Sequence, residues 1–311
     1  MSDWTADDVP DLSGKTAVVT GANSGIGFEA TKLFAEKGAH VVMACRSLDR
    51  GERAMADIRR DVPAASLTVA ELDLADLDSV HRFADEFADD HGSLHVLCNN
   101  AGVMAIPRQE TEQGFEMQLG VNHLGHFVLT ARLFAHLRDT PGETRIVTVS
   151  SGLHERGRMN FDDLHGERGY DEWDAYAQSK LANLLFAFEL DRRLTASGID
   201  DVVSVGAHPG YAATNLQLRG PSETGSNARL WLSKLANAVF AQSAEMGSLP
   251  LVYAAVEPSV ESGDYVGPQG LFDMRGSPGR AEPSDRARDQ ETAARLWEIS
   301  ETLTETRFRL A

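Results

Sequence analysis

Short Val-rich runs alternate along the chain with longer stretches whose apolar residues recur at helical period. Residues 16–20 (TAVVT), 40–44 (HVVMA), 67–72 (LTVAEL), 94–98 (LHVLC), 144–149 (TRIVTV) and 201–207 (DVVSVGA) are nearly continuous in apolar side chains. Such runs predict the strands of a parallel sheet covered on both faces. Helical spacing fills 25–37, 49–60, 76–90, 111–138 and 174–196. Asp49 and Asp76 stand where N-caps are expected, and Gly38 follows Glu36-Lys37 at a C′ position. The unbroken alternation predicts one α/β domain over 1–311, a doubly wound parallel sheet of six or seven strands.

Two stretches interrupt the rhythm. Residues 152–172 are polar and Gly-rich, and 211–240 hold a Gly/Ser/Pro cluster followed by Leu230, Trp231, Leu232 and Leu235. Loops of this length in a compact domain are commonly functional, so both are expected to form the substrate mouth. The tail, 281–311, is charged, carries a helical pattern near 286–303 and is expected on the surface.

The chain has 311 residues, enough to bury a core without staples. Its formal charge of −18 opposes phosphate backbones and anionic headgroups, which argues against nucleic-acid and membrane-surface partners. Only five of its 29 basic residues are lysines (15, 32, 37, 180 and 234), and such an acidic, Lys-poor surface suits a halophilic protein. Cys45 and Cys98 lie in strand-like runs and read as reduced, buried thiols. The acidic start, MSDWTADDVPDLSG, lacks the pattern of a signal peptide, and no run of 18 apolar residues exists, so a cytoplasmic location is expected. His123, His126 and His95 lack partners at ligand spacing and read as packing or helix-surface residues, with no metal expected.

Chemistry enters at the first strand–helix junction. Thr20-Gly21-Ala22-Asn23-Ser24-Gly25-Ile26-Gly27 runs from strand into helix, where a backbone can approach a pyrophosphate at a helix N-terminus. Gly21, Asn23, Ser24, Gly25, Ile26 and Gly27 are therefore candidate dinucleotide-binding residues in a Rossmann-type domain. A carboxylate ending the second strand would favour NAD(H), but Cys45-Arg46 stands there. The Arg46 guanidinium can fork onto a 2′-phosphate, so NADP(H) is expected ahead of NAD(H). Asp73-Leu74 and Asn99-Asn100-Ala101-Gly102 close the third and fourth strands, where open α/β sheets bind ligand. Tyr176 and Lys180 are four apart on one helix face. A nearby ammonium is expected to lower the phenol pKa, so that Tyr176 exchanges a proton with a carbonyl or alcohol oxygen.

Over roughly 12–267 these motifs resemble the short-chain dehydrogenases/reductases, in the expected order: 20–27, 99–102, Asn122 within Val-Asn-His-Leu-Gly, Val149-Ser150-Ser151, Tyr176–Lys180 and Pro209-Gly210. Ala44-Cys45-Arg46, the 121–127 segment, Ser179–Asn183 and His208-Pro209-Gly210 look most like the retinol dehydrogenase and protochlorophyllide reductase group. The resemblance implies Tyr176 as general acid/base and Lys180 as its tuner and ribose holder. It implies Ser151, rather than Ser150, on the substrate oxygen, and Asn122 positioning a relay water. Asn99 and Gly102, with Ala101, would line the cofactor. Asp73, with Leu74, would meet the adenine side, while Pro209, Gly210 and Thr214 frame the nicotinamide. The 25-residue gap from Ser151 to Tyr176 exceeds that of compact members. The expected activity is NADP(H)-dependent interconversion of a carbonyl and an alcohol on an apolar small molecule. The alternatives are a C=C reductase and a noncatalytic NADP(H)-binding regulator. The apolar run 184–188 suggests a helix that pairs in a homo-oligomer.

Overall fold

The structure is a computed structural model that describes residues 4–210, 243–270 and 274–310. Six strands appear where the Val-rich runs predict them: β1 (Thr16–Thr20), β2 (His40–Cys45), β3 (Ser66–Glu71), β4 (Val96–Asn99), β5 (Thr144–Val149) and β6 (Val202–Ala207). Two more, β7 (Tyr265–Pro268) and β8 (Pro278–Arg280), complete an eight-stranded sheet ordered β3-β2-β1-β4-β5-β6-β7-β8. All neighbours are parallel except β7 and β8. Strand order reverses between β1 and β4, which opens a crevice at their C-terminal ends.

Alternate residues of each strand feed two cores, as a two-sided sheet requires. Val18, Val42, Leu97 and Ile146 face the layer of α3 (Leu77–Asp90), α5 (Gly125–Asp139) and α6 (Glu172–Ala196). Val19, Met43, Cys98 and Val147 face α1 (Gly25–Glu36), α2 (Leu48–Asp61) and α7 (Ala244–Val256). The Asp76 carboxylate caps α3 by accepting from the Asp78 amide. Asp49 does not cap α2; Ser47 holds that position and Asp49 lies in the first turn, where its charge still favours the helix dipole.

Four regions depart from expectation. The helix predicted over 111–138 starts only at α4 (Met117–Leu119) and passes through a π-helical turn, Gly120–Leu124, before α5. Gly114 at φ 81° and the bridge between Glu110 and Glu116 turn the preceding residues away from helix. α7 was not legible because it has no polar face and contains Pro250. β7 and β8 are too short for periodicity to register.

The tail is also not a surface appendage. α8 (Gln290–Leu303) buries Ala293, Leu296, Trp297 and Ser300 against α6, and Phe308 follows them inward. Trp297 stacks on Phe186, and both meet Phe127 edge-on. Phe186, within the apolar run 184–188, is therefore covered by Trp297 and Phe308 of the C-terminal segment, and all five residues of the run are buried.

Candidate active site

The crevice at the sheet's reversal point is floored by the turn between β1 and α1. Gly21 and Gly25 adopt φ of 69° and 56°, values that suit glycine. A Cβ on Gly27 would sit 2.6 Å from the Gly21 carbonyl oxygen and from Asn100 Nδ2, so the helix can approach the turn only without a side chain there. Gly21, Asn23, Ser24, Gly25, Ile26 and Gly27 all line the cleft. Beneath the turn, the buried Cys45 sulfur accepts from the Ala22 and Asn23 amides, and burial pushes its thiol up to about 12. Cys98 is likewise buried with its thiol pushed up.

Arg46, Asp73, Leu74, Ala101, Gly102, Tyr176, Lys180 and Pro209 share this cleft, so the fold gathers most of the residues singled out by motif. It adds Arg50, four residues beyond Arg46, with Ser47 between them. The i, i+4 spacing of the two arginines was the sequence signal for this basic corner.

Asn99 is a correction. Its side chain is buried and donates from Nδ2 to Thr130 Oγ1 instead of lining the cleft. Asn100 lines the cleft and donates to the Thr20 carbonyl. Successive strand residues point to opposite faces, so a one-residue choice in the Asn-Asn pair decides which side chain is buried. Gly210 follows Pro209 with φ 64°, and Thr214 lies outside the described residues.

Tyr176 projects from α6 and is 4% exposed. The Ser151 hydroxyl is near enough to the phenol to favour its ionised form, whereas Ser150 lines the cleft and donates from Oγ to the Lys180 carbonyl. Lys180 Nζ lies 5.7 Å from the Tyr176 ring centroid and donates to the Val149 carbonyl at 3.1 Å. The expected electrostatics are reversed here. Burial pushes the phenol up to about 12, opposed by the Ser151 hydrogen bond, and burial alone brings Lys180 down to about 8. Desolvation opposes charge on both groups, and the same environment that weakens the ammonium weakens its pull on the phenol.

Asn122 occupies the π-helical turn. Its Oδ1 accepts from Val103 N at 2.8 Å, and Nδ2 donates to Val103 O and Ser179 Oγ, both at 2.9 Å. Ser179 in turn donates to the Tyr176 carbonyl, so Asn122 ties α5's entry to the helix that carries Tyr176. His126, expected as a packing or helix-surface residue, does more. Its Nδ1 lies 3.1 Å from the Asn122 carbonyl, so that nitrogen must donate. Nε2, 2.9 Å from Thr20 Oγ1, then accepts, while Thr20 Oγ1 itself accepts from the Asn100 and Ala101 amides. One neutral ring thus joins the Asn122 turn to the glycine-rich turn. Its fully buried neighbour His123 meets Ser300 Oγ of α8 at 2.8 Å. His95 accepts the Thr16 amide at the sheet's opposite end.

Residues 15–223 match the short chain dehydrogenase family. The chain is a short-chain dehydrogenase. It is 40% identical over 291 residues to retinol dehydrogenase 11 of Mus musculus, covering 93% of this chain and 86% of that protein. Polyprenol dehydrogenase of Mus musculus is 44% identical over 292 residues, covering 93% and 83%. A crystal structure of an uncharacterised protein from Mycobacterium paratuberculosis superposes with TM-score 0.81 at 42% identity, covering 99% of this chain and 100% of that one. An NAD(P)-dependent gluconate 5-dehydrogenase structure from Beutenbergia cavernae, with bound NADP, has TM-score 0.62 at 27% identity, covering 82% and 95%.

This short-chain dehydrogenase is thus an oxidoreductase that interconverts alcohol and carbonyl groups with a nicotinamide dinucleotide. The residues present fit that cofactor. The glycine turn leaves a path for a pyrophosphate, and Arg46, Arg50 and Lys180 give the cleft wall cationic side chains. No helix among the described residues is long and apolar enough to cross a membrane.

Proposed function

We propose that this dehydrogenase uses NADP(H) to interconvert a carbonyl and an alcohol on an extended apolar molecule of the isoprenoid class, with Tyr176 as the general acid/base. The observation that carries the reading is a cleft that brings Tyr176 and Lys180 together with Arg46, with the Ser151 hydroxyl beside the phenol and opposing its upward shift. Ser151 and Tyr176 would share the substrate oxygen between two hydroxyls. Tyr176, neutral at pH 7, is in the form that donates when a carbonyl is reduced. Lys180, Asn122 and Ser179 hold the helix face that carries the phenol. The bound nicotinamide supplies or accepts the hydride. Arg46 and Arg50 would take the 2′-phosphate of the adenosine ribose. The isoprenoid class is supported by relatives named for retinol and polyprenol, both isoprenoid alcohols.

A panel of polyenals, prenals, their alcohols, sugars and small ketones, followed by NADPH absorbance, tests this assignment. Long isoprenoid aldehydes should give the highest kcat/KM. A preference for sugars would overturn the substrate class, and product analysis showing a saturated C=C bond with the carbonyl intact would replace the reaction. Assays in high and low salt address the halophilic expectation at the same time; activity that peaks without added salt removes it.

Arg46→Ala should raise the NADPH Kd by roughly 10- to 100-fold, the worth of one charge-assisted hydrogen bond, and leave NADH nearly unchanged. Fluorescence titration reads both constants. Equal weakening of the two cofactors would defeat the 2′-phosphate assignment.

A further inference from the structure

His154 lies three residues past Ser151 on the 3-10 turn Gly152–Arg156 and is buried. Nothing in its motif marks it, yet both ring nitrogens have partners. Nδ1 is 2.8 Å from the Ser151 carbonyl oxygen, and Nε2 is 3.1 Å from the Ser284 amide nitrogen. A carbonyl can only accept and an amide N–H can only donate, so Nδ1 carries the proton and Nε2 accepts. The ring is therefore neutral and held in one tautomer. Burial pushes its pKa down, in the same sense.

Ser284 belongs to the C-terminal segment, far away in sequence. Two residues on, the Arg286 guanidinium donates to the Glu155 and Gly157 carbonyls of the same turn. On its other side His154 meets Tyr265 edge-on, and Tyr265 stacks on His208 just before Pro209 of the cleft. The turn that carries Ser151 is thus gripped by the tail on one side and by the β6–β7 ends on the other.

We propose that His154 is a positioning residue that sets Ser151 against Tyr176, and that the C-terminal segment holds it through the Ser284 amide. This rests on the roles given above to Ser151 and Tyr176. The tail then serves catalysis as well as the core, because the bond it donates fixes the ring whose other nitrogen holds the Ser151 backbone. A displacement near 1 Å at such a group is enough to lower turnover on the order of 100-fold.

Ser284→Pro provides one test. Ser284 has φ −63°, which proline adopts, and its hydroxyl has no hydrogen-bond partner among the described residues. The substitution takes away the amide donor and sets the proline Cδ in its place against His154 Nε2, so the ring is pushed as well as released. With the best carbonyl from the panel, kcat should fall about tenfold, while the NADPH Kd and substrate KM stay within about twofold. His154→Phe should lose at least as much kcat, and His154→Asn, which keeps a donor near the Nδ1 position, should recover part of it. If His154→Phe does not fold, Ser284→Pro decides. A folded Ser284→Pro protein with wild-type kcat overturns the proposal, and so does a kcat loss that vanishes on cooling in step with a lowered Tm. Ser151→Ala and Tyr176→Phe run in parallel. If they too keep full turnover, the reading of the site itself falls; if they lose turnover while the Ser284 and His154 variants do not, only the positioning claim falls.

Discussion

Tyr176→Phe should lower kcat by roughly a thousandfold, the middle of the range for a positioned proton donor, with NADPH affinity within about twofold of wild type. The aromatic ring is buried in α6's packing and survives the substitution, so only the hydroxyl is lost. Stopped-flow turnover and cofactor titration on the same preparation separate the two quantities. A variant that keeps wild-type turnover removes the proposed acid/base. Direction matters as well. With the phenol pushed up to about 12, the proton-donating form dominates at neutral pH, so reduction should change little between pH 6 and 8. Alcohol oxidation needs the phenolate and should accelerate as pH rises towards 12. A pH–rate profile in both directions checks this asymmetry.

Acid should unfold the protein between about pH 5 and 4, driven by three buried imidazoles. Burial brings His123 down to about 3, and His126 and His208 down to about 4. Each folded-state value lies below the unfolded value near 6.5, so the unfolded chain takes up the proton first. Their contribution is therefore whole above pH 6.5 and is lost as pH drops towards 4. Each group removes on the order of 3 kcal/mol by then, and together they rival the whole stability of a typical domain, about 5–15 kcal/mol. Circular dichroism and tryptophan fluorescence across the pH range measure the midpoint. His123→Gln, which keeps a polar partner for Ser300, should lower it; native ellipticity persisting at pH 4 would show that these rings ionise without unfolding the chain.

Two of these histidines, His123 and His126, show where local reading stops. Residues 121–127 identify a motif, but nothing in their spacing reveals that His126 links the Asn122 carbonyl to Thr20, or that His123 meets Ser300 in α8. Those partners are brought together by the sheet and by the C-terminus. Trp297 makes a similar point. Ala293, Leu296, Trp297 and Ser300 form a stripe at helical spacing, yet the charge around it suggested a solvated tail. In Asn99-Asn100 the motif was legible, but the pleat decided which asparagine enters the cleft.

Elements whose cause is local could be read along the chain. Nearly continuous apolar runs and period-3.6 patterning set six strands and most helices, the glycines mark the turn at Thr20–Gly27, and four-residue spacing puts Tyr176 and Lys180 on one face. The electrostatics of that pair came from packing. Burial raised the phenol and lowered the amine, whereas proximity alone suggested an ammonium-driven phenolate. The physical reason is that desolvation and long-range hydrogen bonds depend on what the rest of the chain stacks around a group, which no spacing along the chain records.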